Sequence, residues 1–341
     1  MQKPEINVNN AKYSTKLGQL FMIGFEGKSP SDSFLNFLTE EQIGGVILFE
    51  ENCPDYDTIK NNISKIKSCY RTRAPFIAID QEGGRVSRMR GIPAEIPAAY
   101  FYGKKNKIEN FVEDYTHSAV YMESVGISLN LAPVADIFLN PENSCLSDRC
   151  FSDDPAKVAR FVEKSVEVAR HNGLLCCLKH FPGLGAAKAD PHNEIAVAHY
   201  DEKLWKEREM IPFLAGVRKG AEMIMTTHMR VPEIDDQIVT VSEKIINKFI
   251  RQHLKFEGPV ITDSLVMKGA SELGDLGEIS VKAFNAGHDI LLYGQKLDDN
   301  IEAFDYFEDA CRRGEISAER IESALQRISG IKLKLDSSVV H

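Results

Sequence analysis

The chain has 341 residues, 43% of them hydrophobic, enough to bury a sizeable core in one large α/β domain or two smaller ones. Its net charge is -9 and its basic residues are scattered, which argues against nucleic acid or an anionic membrane surface as the main partner but leaves room for a local basic pocket. Residues 1–10 are polar and lack the apolar run of a secretory signal, and no later stretch approaches the roughly 20 apolar residues of a membrane span, so a cytoplasmic setting is expected.

From Leu17 onward, short apolar runs alternate with longer amphipathic segments, the pattern of strand and helix units around a parallel sheet. Eight runs read as strands: 20–25, 45–49, 76–80, 128–134, 175–180, 223–228, 260–263 and 289–293. Helices are predicted at 33–39, 56–70, 108–124, 155–171, 202–219, 242–253 and 278–286, with 300–312 as the eighth and 318–333 as an extra closing helix. A single (β/α)8 barrel over 1–341 is the expected architecture, and a doubly wound open sheet is the alternative. Seven cysteines are an odd number; Cys176 and Cys177 lie inside a predicted strand and read as small core residues, while Cys145 and Cys150 flank a loop where they could pair.

Titratable groups gather where predicted strands end. Asp80 follows Phe76-Ile77-Ala78-Ile79, His180 closes the fifth run, His228 the sixth, and Asp263 follows Val260-Ile261-Thr262. The carboxyl ends of strands are where barrel active sites are built. In Asp80-Gln81-Glu82-Gly83-Gly84-Arg85-Val86-Ser87-Arg88 the glycine pair permits a tight turn, and the arginines and the acid supply donors and acceptors for sugar hydroxyls or a carboxylate. The spacing is not that of a dinucleotide-binding loop. After Leu175-Cys176-Cys177-Leu178-Lys179-His180 the chain breaks into Phe181-Pro182-Gly183, then supplies Asp190 and His192 two residues apart, read as an acid/base device. Trp205, the single tryptophan, falls in a predicted helix and is expected away from the strand ends, so a small pocket for one terminal sugar fits better than an extended groove.

Four stretches in order, Asp80 to Arg88, Lys179-His180-Phe181-Pro182-Gly183, Asp190-Pro191-His192 and Ile261-Thr262-Asp263-Ser264-Leu265-Val266-Met267, resemble the glycoside hydrolase family 3 β-N-acetylglucosaminidases. The resemblance implies a retaining exo-glycosidase on a (β/α)8 barrel, without a cofactor, in which Asp263 is the nucleophile. Many members take their acid/base from a second domain. In the single-barrel type it is a His paired with an Asp two residues earlier, which His192 and Asp190 match. The resemblance also places substrate contacts on Asp80, Arg88, Arg149, Lys179 and His180, and implies recycled cell-wall muropeptide as the sugar source. The sequence departs from the family at Leu184, where many members have a second His, and at Pro191, which is expected to stiffen or re-aim the loop.

Three other readings remain open at this point. A metal-dependent hydrolase would use His180, His228 and Asp263 as zinc ligands, although 20–25 lacks the usual first-strand His pair. A glycosyl phosphorylase would differ only in what attacks the intermediate, since an imidazole acid/base repels phosphate less than a carboxylate does. A non-catalytic sugar-binding protein is the third.

Overall fold

The structure, a computed structural model, describes residues 16–71, 73–188 and 195–338. Eight parallel strands form one sheet: β1 Phe21–Ile23, β2 Gly45–Leu48, β3 Phe76–Ile79, β4 Leu129–Asn130, β5 Leu175–Phe181, β6 Met223–Thr226, β7 Val260–Ile261 and β8 Leu291–Leu292. Each pairs with the next, β8 returns to β1 through Phe21↔Leu291, and β7 meets β8 through a bridge between Ile261 and Ile290. The open-sheet alternative is thereby excluded. Every strand residue is buried, as expected where helices cover one face and the barrel interior the other.

Several helices start where a short polar side chain takes an orphan amide. Ser31 accepts from Phe34 N (3.2 Å), Asp55 from Thr58 N (2.8 Å) and Asp154 from Ala156 N (2.8 Å), the last followed by Pro155 in the first turn of helix Pro155–His171. Gly126 and Gly220 end helices Ile108–Val125 and Met210–Lys219 in the left-handed region, each with φ 94°.

The predicted helix at 202–219 is two helices, Glu202–Glu207 and Met210–Lys219. Pro212 is the cause: a proline ring clashes with the carbonyl four residues back, here that of Arg208, and the chain breaks there. The segment at 242–253 winds as a wider π-helix over Ile245–His253. A small sheet of Ala196–Val197, Met229–Val231 and Asp235–Ile238, absent from the sequence reading, sits beyond the ends of β5 and β6. No disulfide forms, so Cys145 and Cys150 are not joined. Among the described residues no helix is long and apolar enough to cross a membrane.

Candidate active site

A cavity of about 510 Å³ opens at the carboxyl ends of the strands. Ile47, Phe49, Met225, Leu292 and Tyr293 form its apolar parts, and Asp80, Glu82, Arg88, Arg149, Lys179, His180 and Asp263 its polar ones. Six of the eight residues read from the sequence as site residues therefore share one pocket. Asp190 and His192 lie outside the described residues. A wider hollow of about 1040 Å³ opens at the opposite end of the strands, beside Gln19, Gln42 and Arg73, away from the strand-end carboxylates.

The loop after β3 is folded by Gln81, fully buried. Its Nε2 donates to Ser87 Oγ and Ala94 O (both 2.9 Å), while its Oε1 accepts from Arg88 N (2.9 Å). Gly83 (φ +100°) and Gly84 (φ +57°) make the turn, and Glu82 N and Gly83 N both donate to Val86 O. The turn brings Arg88 back over Asp80, Nη2 to Oδ2 at 3.4 Å, with Phe49 stacked under the guanidinium.

Glu82 is a residue the sequence reading quoted in its motif but did not assign. Its Oε2 and Oε1 accept a forked pair from Arg149 Nε (2.7 Å) and Nη2 (2.8 Å), and Oε1 also receives Lys179 Nζ (2.6 Å). Lys179 Nζ donates as well to Asp80 Oδ1 (2.7 Å). Burial alone would raise both carboxyls, yet Arg149 and Lys179 hold Glu82, and Lys179 and Arg88 hold Asp80, below the usual carboxylate range. Burial likewise opposes charge on Lys179 and Arg149, yet Asp80 and Glu82 keep Lys179, and Glu82 keeps Arg149, above their ordinary values. The network's acids are thus ionised and hydrogen-bonded to cations, the condition under which buried charges are tolerated, and Arg88 Nε is its one buried donor without a partner among the described residues.

Asp136 is the second unassigned residue. It follows β4, 1% exposed, and its Oδ2 accepts from His180 N (3.1 Å) and His180 Nδ1 (2.6 Å) while Oδ1 accepts from Leu184 N (2.7 Å). Arg149 Nη2, which can only donate, stands 3.0 Å from His180 Nε2, so that nitrogen accepts and the ring proton is on Nδ1, toward Asp136. An acid closing the apolar run at 128–134 was the available signal. Leu184, the departure from the family pattern, is buried with its amide held by Asp136.

Asp263 sits just past β7, its Oδ1 accepting from Ser264 N (2.8 Å) and its Oδ2 without a partner among the described residues. His228 does not face it as a metal ligand would. It is fully buried, with Nδ1 on Thr240 Oγ1 (2.7 Å) and Nε2 on Ser264 O (2.9 Å). With His180 committed to Asp136 and Arg149, the zinc set His180, His228, Asp263 does not assemble, and no metal-holding cluster occurs among the described residues. Trp205 also corrects its expected place: its Nε1 donates to Pro182 O (2.9 Å) and its ring packs edge-on to Phe181, directly beneath the end of β5.

The chain matches the glycosyl hydrolase family 3 N terminal domain over residues 13–331. It is 30% identical to a β-hexosaminidase of Idiomarina loihiensis, covering 92% of this chain and 94% of that protein. It is 29% identical to β-hexosaminidase A of Pseudoalteromonas piscicida over 95% of this chain and 62% of that one. Among solved structures, a glycoside hydrolase family 3 β-N-acetylglucosaminidase from Paenibacillus sp. str. FPU-7 superposes with a TM-score of 0.91 at 28% identity, covering 95% of this chain and 62% of that chain. The chain therefore spans less than two thirds of the last two and nearly all of the first. With strands, cavity and matched length in agreement, this chain belongs to glycosyl hydrolase family 3.

Proposed function

We propose that the chain is a single catalytic domain that removes terminal β-linked N-acetylglucosamine with retention, with Asp263 as nucleophile and His192, paired with Asp190, as acid/base. The observation that carries the reading is Asp263: a strand-end carboxylate with one oxygen held by the next amide and the other without a partner among the described residues, lining a cavity of about 510 Å³. In such a reaction the carboxylate attacks the anomeric carbon as the leaving oxygen is protonated, and the acid then acts as base toward water.

The proton donor is not supplied by the other carboxyls of the pocket. Asp80 and Glu82 are held anionic by their cation partners, and His180 Nε2 accepts from Arg149. A group that titrates near neutrality must come from elsewhere, which supports His192. Asp80, Arg88, Arg149, Lys179 and His180 would then orient the sugar by charge-assisted hydrogen bonds. The names of the relatives, β-hexosaminidase and β-N-acetylglucosaminidase, support the acetamido sugar. A cytoplasmic setting and cell-wall muropeptide fragments as the natural source complete the proposal and rest on the family likeness.

The test is hydrolysis of 4-nitrophenyl β-N-acetylglucosaminide beside the matching β-glucoside, with and without phosphate. A preference of roughly tenfold or more in kcat/KM for the acetamido sugar is expected, and Asp263→Ala should lose on the order of 10³-fold or more in kcat. Faster turnover of the glucoside would overturn the sugar assignment. Sugar phosphate in place of free sugar would overturn hydrolysis.

A further inference from the structure

We infer that His228 is a positioning residue for the nucleophile: it fixes the backbone from which Asp263 turns into the cavity. The inference rests on the reading of Asp263 given above. A carbonyl oxygen only accepts, so at 2.9 Å from Ser264 O the Nε2 of His228 carries the proton. In the neutral ring Nδ1 is then the acceptor, and the Thr240 hydroxyl at 2.7 Å is the donor. One neutral tautomer satisfies both contacts, and with His228 and Thr240 both fully buried no water competes for either.

Ser264 is consequently held from both sides. Its N–H is taken by Asp263 Oδ1 at 2.8 Å, while its carbonyl receives both His228 Nε2 and Met267 N, the latter at 3.1 Å. The flanking residues are tied to β8: Thr262 N donates to Ile290 O (3.1 Å), Leu265 N to Leu292 O (2.9 Å), and Thr262 Oγ1 accepts from Leu292 N (3.0 Å). Within this frame the His228 contact is the link to β6. Ser264 O and Leu265 N lie in one peptide plane, so His228 and Leu292 hold that plane from β6 and β8; without the His228 contact it can tilt about its remaining bonds to Leu292 and Met267, shifting Ser264 N and the Asp263 oxygen that this amide holds. Thr240, at the far end of the link, stands in the short turn Val239–Val241 that follows the small accessory sheet. That sheet is thereby given a part in aiming the nucleophile.

The test compares three variants on 4-nitrophenyl β-N-acetylglucosaminide, each with its melting temperature. A Gln amide can place a donor where Nε2 stood, whereas an Asn amide reaches only the Nδ1 position. His228→Asn is expected to lower kcat on the order of 10- to 100-fold with KM changed less than about threefold, as for a misaimed reacting group. His228→Gln should recover most of that loss. Thr240→Val keeps shape and removes the donor that selects the tautomer, and should lower kcat several-fold without moving KM. Should His228→Asn fail to fold, Thr240→Val decides: unchanged kcat overturns the inference. Equal losses in His228→Asn and His228→Gln, or losses seen in KM alone, would make the residue merely structural. Full activity of Asp263→Ala would instead sink the nucleophile reading beneath it, a separate result.

Discussion

Two carboxylates stand within hydrogen-bond reach of Lys179 Nζ, Asp80 at 2.7 Å and Glu82 at 2.6 Å, and they differ in what else they hold. Asp80 shares its second oxygen with Arg88 and keeps 16% of its side chain exposed, whereas Glu82, at 3%, is the forked partner of buried Arg149. Removing one member of a buried ion network leaves the rest uncompensated, at a cost of about 3–5 kcal/mol. Glu82→Gln is therefore expected to lose stability of that size in urea unfolding. Asp80→Asn, still able to accept from Lys179 and partly solvated, should lose less and show its effect in KM for the sugar. The residue types and strand-end positions of Asp80, Lys179, His180 and Asp263 were legible in the sequence. The role of Glu82 was not, because its partner Arg149 is 67 residues away and nothing local ties them. Asp136 was missed for a similar reason, its work being done on backbone and ring atoms of a different strand end.

At the scale of elements, the end of β5 is braced from several sides. Asp136 takes its amides at His180 and Leu184, Tyr200 OH donates to Gly183 O (3.2 Å), and Trp205 Nε1 donates to Pro182 O (2.9 Å). Gly183, at φ +126°, leaves no room for a side chain, since a Cβ there would come 2.6 Å from Glu209 Cγ. These contacts anchor the chain at 180–184, a few residues before Asp190 and His192 in sequence. Trp205→Phe keeps most of the buried ring but orphans the Pro182 carbonyl, and is expected to destabilise the protein by about 1–3 kcal/mol in urea unfolding. Helix extents were readable from apolar spacing and caps, as at Pro155–His171, which the sequence reading matched end to end. The place of Trp205 was not readable, because it depends on the helix break that Pro212 imposes. Nor were the accessory strands, two to four residues long, which are too short for an alternating pattern to show.

For the whole molecule, eight apolar runs and strand-end polar groups sufficed to foresee the barrel, because a parallel sheet buried on both faces writes its strands as continuous hydrophobic stretches. Barrel closure also creates a pH dependence. His288, fully buried beside β8, donates from Nδ1 to Ala283 O and accepts at Nε2 from Thr226 Oγ1 of β6. Burial, helped by the nearby charge of Arg320, pushes its imidazole from 6.5 down to about 3. The unfolded chain thus takes up a proton below pH 6.5 that the folded chain refuses. Stability is full above that pH and falls toward pH 3, by up to about 1.4 kcal/mol per pH unit for this one group. Asp80 and Glu82, held below the usual carboxylate range, act in the same direction at lower pH. Unfolding free energies measured from pH 7.5 downward should fall below pH 6.5, and His288→Gln, which cannot charge, should fall less steeply. The central claim is that Asp263 carries the sugar covalently, and its most direct test is peptide mapping of acid-quenched His192→Ala protein during turnover of an activated aryl β-N-acetylglucosaminide. With the base for the second step removed, one N-acetylhexosamine is expected on the peptide containing Asp263. Steady turnover with that peptide unmodified, or an adduct on Asp80 or Glu82 instead, would contradict the account.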